Sequence, residues 1–244
     1  MIDPRGAVVG KRFAHVARVA GFCSAKGGVG KTLCTTLAGA ALARQGKRIG
    51  ILDLDLQGAS AHIFLGVQPR LPREDHGILP LPVRENLWLM GAAVFAGNKA
   101  MPLRGPAVSD ALLELLAVTQ WGSLDYLLID MPPGIGEELL DCARLLPRME
   151  ALVVSTPGAA SISVVERLLG VLQEMHVPVP GIIANMVRDD AEPVRSLARR
   201  AGVTFAGEVP FEPGMEDAVG DPARLASTHS ATALLHALRS VAFI

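Results

Sequence analysis

The stretch Cys23-Ser24-Ala25-Lys26-Gly27-Gly28-Val29-Gly30-Lys31-Thr32 constrains the fold more than any other part of the chain. An apolar run, Val16 to Cys23, leads into it, and a helical run, Leu33 to Arg44, leaves it. Strand, glycine loop and helix, in that order, is the layout of a phosphate-binding loop. Gly27, Gly28 and Gly30 let backbone N–H groups turn inward around an anion. The N-terminus of the following helix adds partial positive charge. Lys31 is placed to reach β- and γ-phosphates, and the Thr32 hydroxyl to bind Mg²⁺.

The rest of the chain agrees with that start. Val16 to Cys23 is the first strand, Thr32 to Gln45 a helix ended by Gly46, and Arg48 to Leu52 a second strand. That strand runs into Asp53-Leu54-Asp55-Leu56-Gln57-Gly58-Ala59-Ser60, which puts two carboxylates on the rim where open α/β sheets bind ligands. One can help hold hydrated Mg²⁺ and the other can orient an attacking water. Tyr126 to Ile129 reads as a strand ending in Asp130, an acid in the position of a Walker B magnesium ligand. Pro132-Pro133-Gly134, a stiff turn ending in a flexible residue, suits a switch that senses the γ-phosphate. Strands at Leu87 to Met90, Ala151 to Ser155, Val179 to Ala184 and Val203 to Val209, and helices at Ser109 to Thr119, Ser161 to Met175, Pro193 to Ala201 and His229 to Val241, complete the pattern. Near-continuous apolar strands alternating with helices imply a single doubly wound, mostly parallel sheet with helices on both faces.

At 244 residues, half of them hydrophobic, the chain is long enough for one large core, and residues 1–244 read as one domain. Residues 1–17 form an N-terminal segment in which residues 3 to 17 read as a short helix, with Asp3 as its N-cap and Pro4 in its first turn. Residues 66–105, broken by Pro69, Pro72, Pro80 and Pro82, form an irregular excursion. A net charge of -1 gives no global basic field for nucleic acid. No run approaches the roughly 20 apolar residues of a membrane span. These features predict a cytoplasmic protein that binds neither membrane nor nucleic acid. Cys23, Cys34 and Cys142 contain no C-x-x-C, and none of the six histidines stands at metal-ligand spacing to a cysteine.

The plain Walker A pattern needs a glycine where this chain has Ala25. The loop instead fits K-G-G-x-G-K-S/T, with Lys26 at its front, and so resembles the deviant Walker A ATPases of the SIMIBI class. Within that class, Trp121 to Glu137 and Asp53 to Ser60 are most similar to the Mrp/ApbC branch, with departures at Ala59, Ile135 and Glu137. The resemblance implies an ATP- and Mg²⁺-dependent hydrolase that pairs into an ATP-dependent homodimer. It implies that Lys26 reaches the partner subunit's nucleotide and that Gly27, Gly28, Val29, Gly30, Lys31, Thr32 and Leu33 wrap the phosphates. Asp55 would position water, Asp53 and Asp130 would serve the magnesium shell with Thr32, and Asn185 and Pro210 would contact adenine.

Many Mrp/ApbC proteins carry a C-x-x-C shortly after the matching asparagine, and Met186 to Pro193 contains no cysteine. Ile2 to Arg5, Leu103 to Gly105, Ser109 to Leu116 and Ile129 to Gly134 also resemble archaeal Mrp/MinD-type HypB proteins of hydrogenase maturation. The expectation is therefore a nucleotide switch in metallocofactor assembly, most sharply nickel delivery, with nickel or an iron–sulfur cluster reached only through a partner or a dimer interface. Iron–sulfur assembly without cluster cysteines of its own is the first alternative. A spatial organiser resembling MinD or ParA, binding membrane or DNA, is the second.

Overall fold

The structure is a computed structural model that describes residues 3–96, 103–146 and 148–244. In chain order its elements are α1 (Arg5–Arg12), β1 (Val16–Cys23), α2 (Lys31–Arg44), β2 (Ile49–Asp53), α3 (Ala61–Phe64), β3 (Leu81–Arg84), β4 (Leu87–Gly91), α4 (Ala92–Ala96), α5 (Pro106–Val118), β5 (Leu124–Asp130), α6 (Glu137–Leu145), β6 (Met149–Ser155), α7 (Ala159–Glu174), β7 (Gly181–Val187), α8 (Glu192–Ala201), β8 (Phe205–Pro210), a 3₁₀ turn (Met215–Ala218), α9 (Pro222–Leu225) and α10 (His229–Ser240).

The strands form one sheet in the order β3-β4-β2-β5-β1-β6-β7-β8, parallel except for β3, which runs antiparallel to β4. Both faces are covered, and the strand sequences show why. In β5, Leu127 and Ile129 enter the core on one face while Leu128 enters the core on the other. In β1, Val19 and Cys23 face one side, Ala20 and Phe22 the other. The period of two along a strand turns an unbroken apolar run into two buried faces. α2 and α10 pack together on one side, and α1, α5 and α6 on the other.

The parallel register sets the functional end. Asp53 at the end of β2 pairs with Asp130 at the end of β5, and Asp130 pairs with Phe22 of β1. Three strand ends that bear the loop and the two acids therefore lie side by side.

Several boundaries differ from the sequence reading. Within the excursion at 66–105 the strand expected at Leu87 to Met90 is present as β4, and a strand not expected, β3, pairs with it at the sheet edge. Pro82 is tolerated in β3 because β3 is an edge strand with one side free of ladder bonds. The N-terminal helix covers only Arg5–Arg12, with Pro4 at the cap position, although the Asp3 carboxylate still accepts the Arg5 N–H at 2.9 Å. Asn185 lies inside β7 rather than after it. Residues 1, 2 and 97–102, which belong to the two segments singled out in the sequence, lie outside the described residues. No described helix is long and apolar enough to cross a membrane.

Candidate nucleotide-binding site

At the C-terminal ends of β1, β2 and β5 the loop Ser24 to Gly30 opens into a groove of about 310 Å³. Its walls include Lys26, Gly27, Gly28, Val29, Gly30, Lys31, Thr32 and Leu33 from the loop and helix start, Asp55 and Ser60 from the acidic turn, and Pro133 from the switch turn.

Asp130 is the hub. It is fully buried, and its Oδ1 accepts from Lys31 Nζ at 3.1 Å while its Oδ2 accepts from Thr32 Oγ1 at 2.6 Å. Lys31 is itself 7 % exposed, so its ammonium is held on the acid away from solvent. Burial pushes the Asp130 carboxyl up from its usual range, and Lys31 and Thr32 hold it back. Because Thr32 gives its proton to Asp130, its oxygen lone pairs remain available to a metal.

Asp53 sits beside it, 2 % exposed. Its Oδ1 accepts the Asp55 N–H at 3.1 Å, and its Oδ2 accepts the Ser60 and Ala61 N–H groups, each at 3.0 Å. The carboxylate thereby shapes the whole D-x-D turn and starts α3. Burial and the neighbouring Asp130 charge push its pKa up to about 7, against the backbone donors of Ala61 and Asp55. Two buried acids with a hydroxyl next to them form an oxygen donor set of the kind Mg²⁺ prefers. Among the described residues no group of three or more His, Cys, Asp or Glu is arranged to hold a metal, so phosphate oxygens and water must complete that shell.

A raised acid binds its proton more tightly in the folded chain. Its stabilising contribution is full below about pH 4 and is lost as pH rises through about 7. A dication placed beside Asp53 pulls that pKa back down. Uptake of Mg²⁺ with nucleotide at pH values of about 6–7 is therefore expected to release a proton fraction, and affinity is expected to rise with pH through this window. Binding heats compared across buffers of different ionisation enthalpy measure the release. A heat independent of buffer would refute the assignment of Asp53 to the metal shell.

Asp55 is half-buried at the groove, and its Oδ1 accepts the Gly58 N–H at 2.8 Å. Lys26 stands partly exposed at the rim without an ion pair among the described residues. Leu33 lines the groove and packs on the core beneath it. The switch turn is tied to the loop directly, with Gly134 N–H donating to Ser24 O at 2.9 Å.

Asn185 is brought to the loop rather than to the open groove. It is 1 % exposed, and its Nδ2 donates to Val29 O at 2.8 Å. Gly30 explains the fit. Its φ is +79°, and a Cβ there would lie 2.3 Å from Asn185 Nδ2 and 2.8 Å from Met186 Cε. Glycine is required both for the left-handed turn and for this close approach. Pro210 ends β8 next to Val187 and is not part of the groove wall.

Sequence reasoning missed Phe64, Met186, Met215, Glu216 and Val219, all of which line the groove. None has a local motif, and most are brought in from α3 or the 3₁₀ turn by tertiary folding. Met186 has φ 56°, a conformation rare for a methionine, which its sequence neighbours do not announce.

All three cysteines are buried and free: Cys23 at 2 % exposure, Cys34 and Cys142 at 0 %. Burial pushes the Cys23 and Cys34 thiols up to about 12 and raises Cys142 as well. Such thiols are poor metal ligands.

A family model described as NUBPL iron-transfer P-loop NTPase matches residues 15–243. The chain is similar to an iron–sulfur cluster carrier protein of Mycobacterium tuberculosis, at 35 % identity over 237 residues, which are 88 % of this chain and 62 % of that one. It thus spans less than two thirds of that relative's length. It is also similar to the bovine cytosolic Fe–S cluster assembly factor NUBP2, at 35 % identity over 85 % of this chain and 84 % of the relative. Among solved structures, a nucleotide-binding protein from Archaeoglobus fulgidus in complex with ADP superposes with a TM-score of 0.78 at 27 % identity, covering 91 % of this chain and 93 % of that one. With its single, mostly parallel sheet and a family match over nearly its whole length, the chain belongs to the NUBPL iron-transfer P-loop NTPase family.

Proposed function

We propose that this protein is a Mg²⁺-dependent ATPase acting as a nucleotide switch in iron–sulfur cluster assembly, without holding the cluster through its own cysteines. The observation that carries the ATPase reading is the convergence of Lys31 and Thr32 on buried Asp130, with Asp53 in register beside it. The family and the relatives' names support iron–sulfur chemistry and favour it over the nickel delivery expected from the sequence. The burial of Cys23, Cys34 and Cys142 supports a switch rather than a carrier.

In this reading Lys31 leaves Asp130 and moves onto the β- and γ-phosphate oxygens. Bound Mg²⁺ supplies charge neutralisation at the phosphates, and Thr32, Asp53 and Asp130 are the residues that would hold it. Catalysis is then chiefly positioning and electrostatics. Asp55, fixed on one oxygen by Gly58, keeps the other for orienting the attacking water. The Ser24–Gly134 bond gives the switch turn a direct link to the state of the loop. Lys26 is assigned to the nucleotide of a second copy, so ATP draws two copies together and hydrolysis releases them. Asn185 fixes the loop through Val29.

The spatial-organiser alternative is less well supported. Residues 228–244 are not a free amphipathic tail: α10 packs on the sheet, Phe243 is fully buried, and Arg18 Nη1 donates to Ala242 O at 2.6 Å and to Phe243 O at 2.7 Å.

The test is transfer of a cluster from a loaded donor protein to an apo-ferredoxin under anaerobic conditions, with and without this protein and ATP-Mg²⁺. The expected result is ATP-dependent acceleration of transfer with no cluster retained on this chain after separation. Acceleration by Ni²⁺ insertion into a nickel acceptor instead, or a rate indifferent to ATP, would overturn the reading.

A further inference from the structure

A groove of about 690 Å³ lies at the end of the sheet opposite the phosphate loop. It is lined where the parallel strands begin: Arg48 before β2, Trp88 early in β4, and Gln120 and Trp121 before β5. Strands of five to eight residues separate it from the nucleotide groove by about 20 Å at about 3.3 Å per residue. A second groove of about 300 Å³ shares Gln120, Trp121 and Gly122 with the first and extends it along Lys11, Arg12 and His15.

The two form one trough with a single sign of charge. Arg48, Arg70, Arg73, Lys11 and Arg12 line it, and no Asp or Glu does. The carboxylates nearest in sequence, Glu74, Asp75, Glu85 and Asp125, stay outside the wall, although Asp125 Oδ2 accepts the Arg48 backbone N–H at 2.7 Å. Arg12 is fixed in place, donating to Ala117 O at 2.9 Å and to His76 O at 2.7 Å. Lys11, Arg48, Arg70 and Arg73 make no ion pair with the described residues.

A second observation points to a ligand. Trp121 is 5 % exposed, and its Nε1–H is buried without a hydrogen-bond partner. A buried indole N–H ordinarily has one. The ring edge bearing Cε3 and Cζ3 packs on Gly50, where a Cβ would lie 2.7 Å from each. The N–H lies on the opposite edge, turned away from β2.

The walls also select among anions. Leu71 is 84 % exposed, and Leu79, Pro80 and Pro82 continue an apolar side. Nucleic-acid bases would need open aromatic faces. Trp121 is buried, and the Arg48 guanidinium covers Trp88, 5.9 Å from the ring centroid. We propose that this trough binds an extended acidic peptide segment with interspersed apolar residues, supplied by a partner protein.

Both tryptophans of the chain line the trough, so intrinsic fluorescence reports its occupancy. The whole chain is titrated with a short synthetic peptide of alternating Glu and Leu. A saturable spectral change is expected, weakened by salt. In the double variant Arg70→Glu, Arg73→Glu the affinity is expected to fall at least about tenfold. Both guanidiniums are exposed and distant from the phosphate loop, so nucleotide binding and the circular-dichroism spectrum are expected to be unchanged. No saturable response, or equal affinity in the double variant, would overturn the proposal. So would tighter binding of oligo(dT) or inorganic polyphosphate than of the peptide. Because the readout is remote from the nucleotide, the result is independent of the ATPase reading.

Discussion

Lys31→Ala is expected to lower ATP hydrolysis by at least about 10²–10³-fold while leaving the chain folded. The loss follows from removing the buried cation that, among the described residues, alone pairs with Asp130 beside the loop. The tolerance of the fold follows from the acid left behind. Asp130 is fully buried, and burial already drives its carboxyl toward the neutral form. Without the Lys31 ammonium it can take up a proton instead of staying charged in a dry site. Thr32 still donates to it at 2.6 Å. Steady-state phosphate release together with thermal unfolding checks both halves. Hydrolysis at the parent rate would remove Lys31 from the site, and gross unfolding would show that the ion pair is mainly structural.

Much of this site was legible in the sequence because its parts are local. The glycines, Lys31 and Thr32 form one continuous stretch, and Asp53 and Asp130 each close an apolar strand. A parallel sheet of short strands then leaves little choice about where strand ends meet, which is why the Asp53–Asp130 register follows the pattern. What remained hidden depends on partners far away in the chain. The Asn185–Val29 bond spans 156 residues, and the Met215 and Val219 walls come from the turn that follows β8, more than 180 positions after the loop. The β3 edge strand was obscured for a different reason. Pro80 and Pro82 signal a break when only the local chain is read, and are harmless once an unpaired edge is available. The basic trough had no sequence signature at all. Lys11, Arg48 and the Arg70–Arg73 pair come from three separate segments and form no motif along the chain.

Asp130→Ala is expected to be the more damaging of the two substitutions, because it fails in the free protein as well as in catalysis. It leaves Lys31, 7 % exposed, without its counter-ion, and Thr32 Oγ1 without its acceptor. An ammonium cannot relieve this by gaining a proton. It must lose one or drag its side chain toward the groove. Breaking a buried pair in this sense costs about 3 kcal/mol. For a chain of this length that corresponds to a Tm lower by about 6–12 °C. ATP and Mg²⁺ are expected to restore part of the loss, since phosphate oxygens replace the missing carboxylate as partners for Lys31. Asp130→Asn separates the two effects. Its carbonyl oxygen keeps an acceptor for Lys31 or Thr32, so most of the stability is expected to survive while hydrolysis is still lost. Thermal unfolding of the three proteins with and without nucleotide decides the matter. An Asp130→Ala protein as stable as the parent would show that Lys31 finds water in the free state. The pairing with Asp130 would then contribute to catalysis alone.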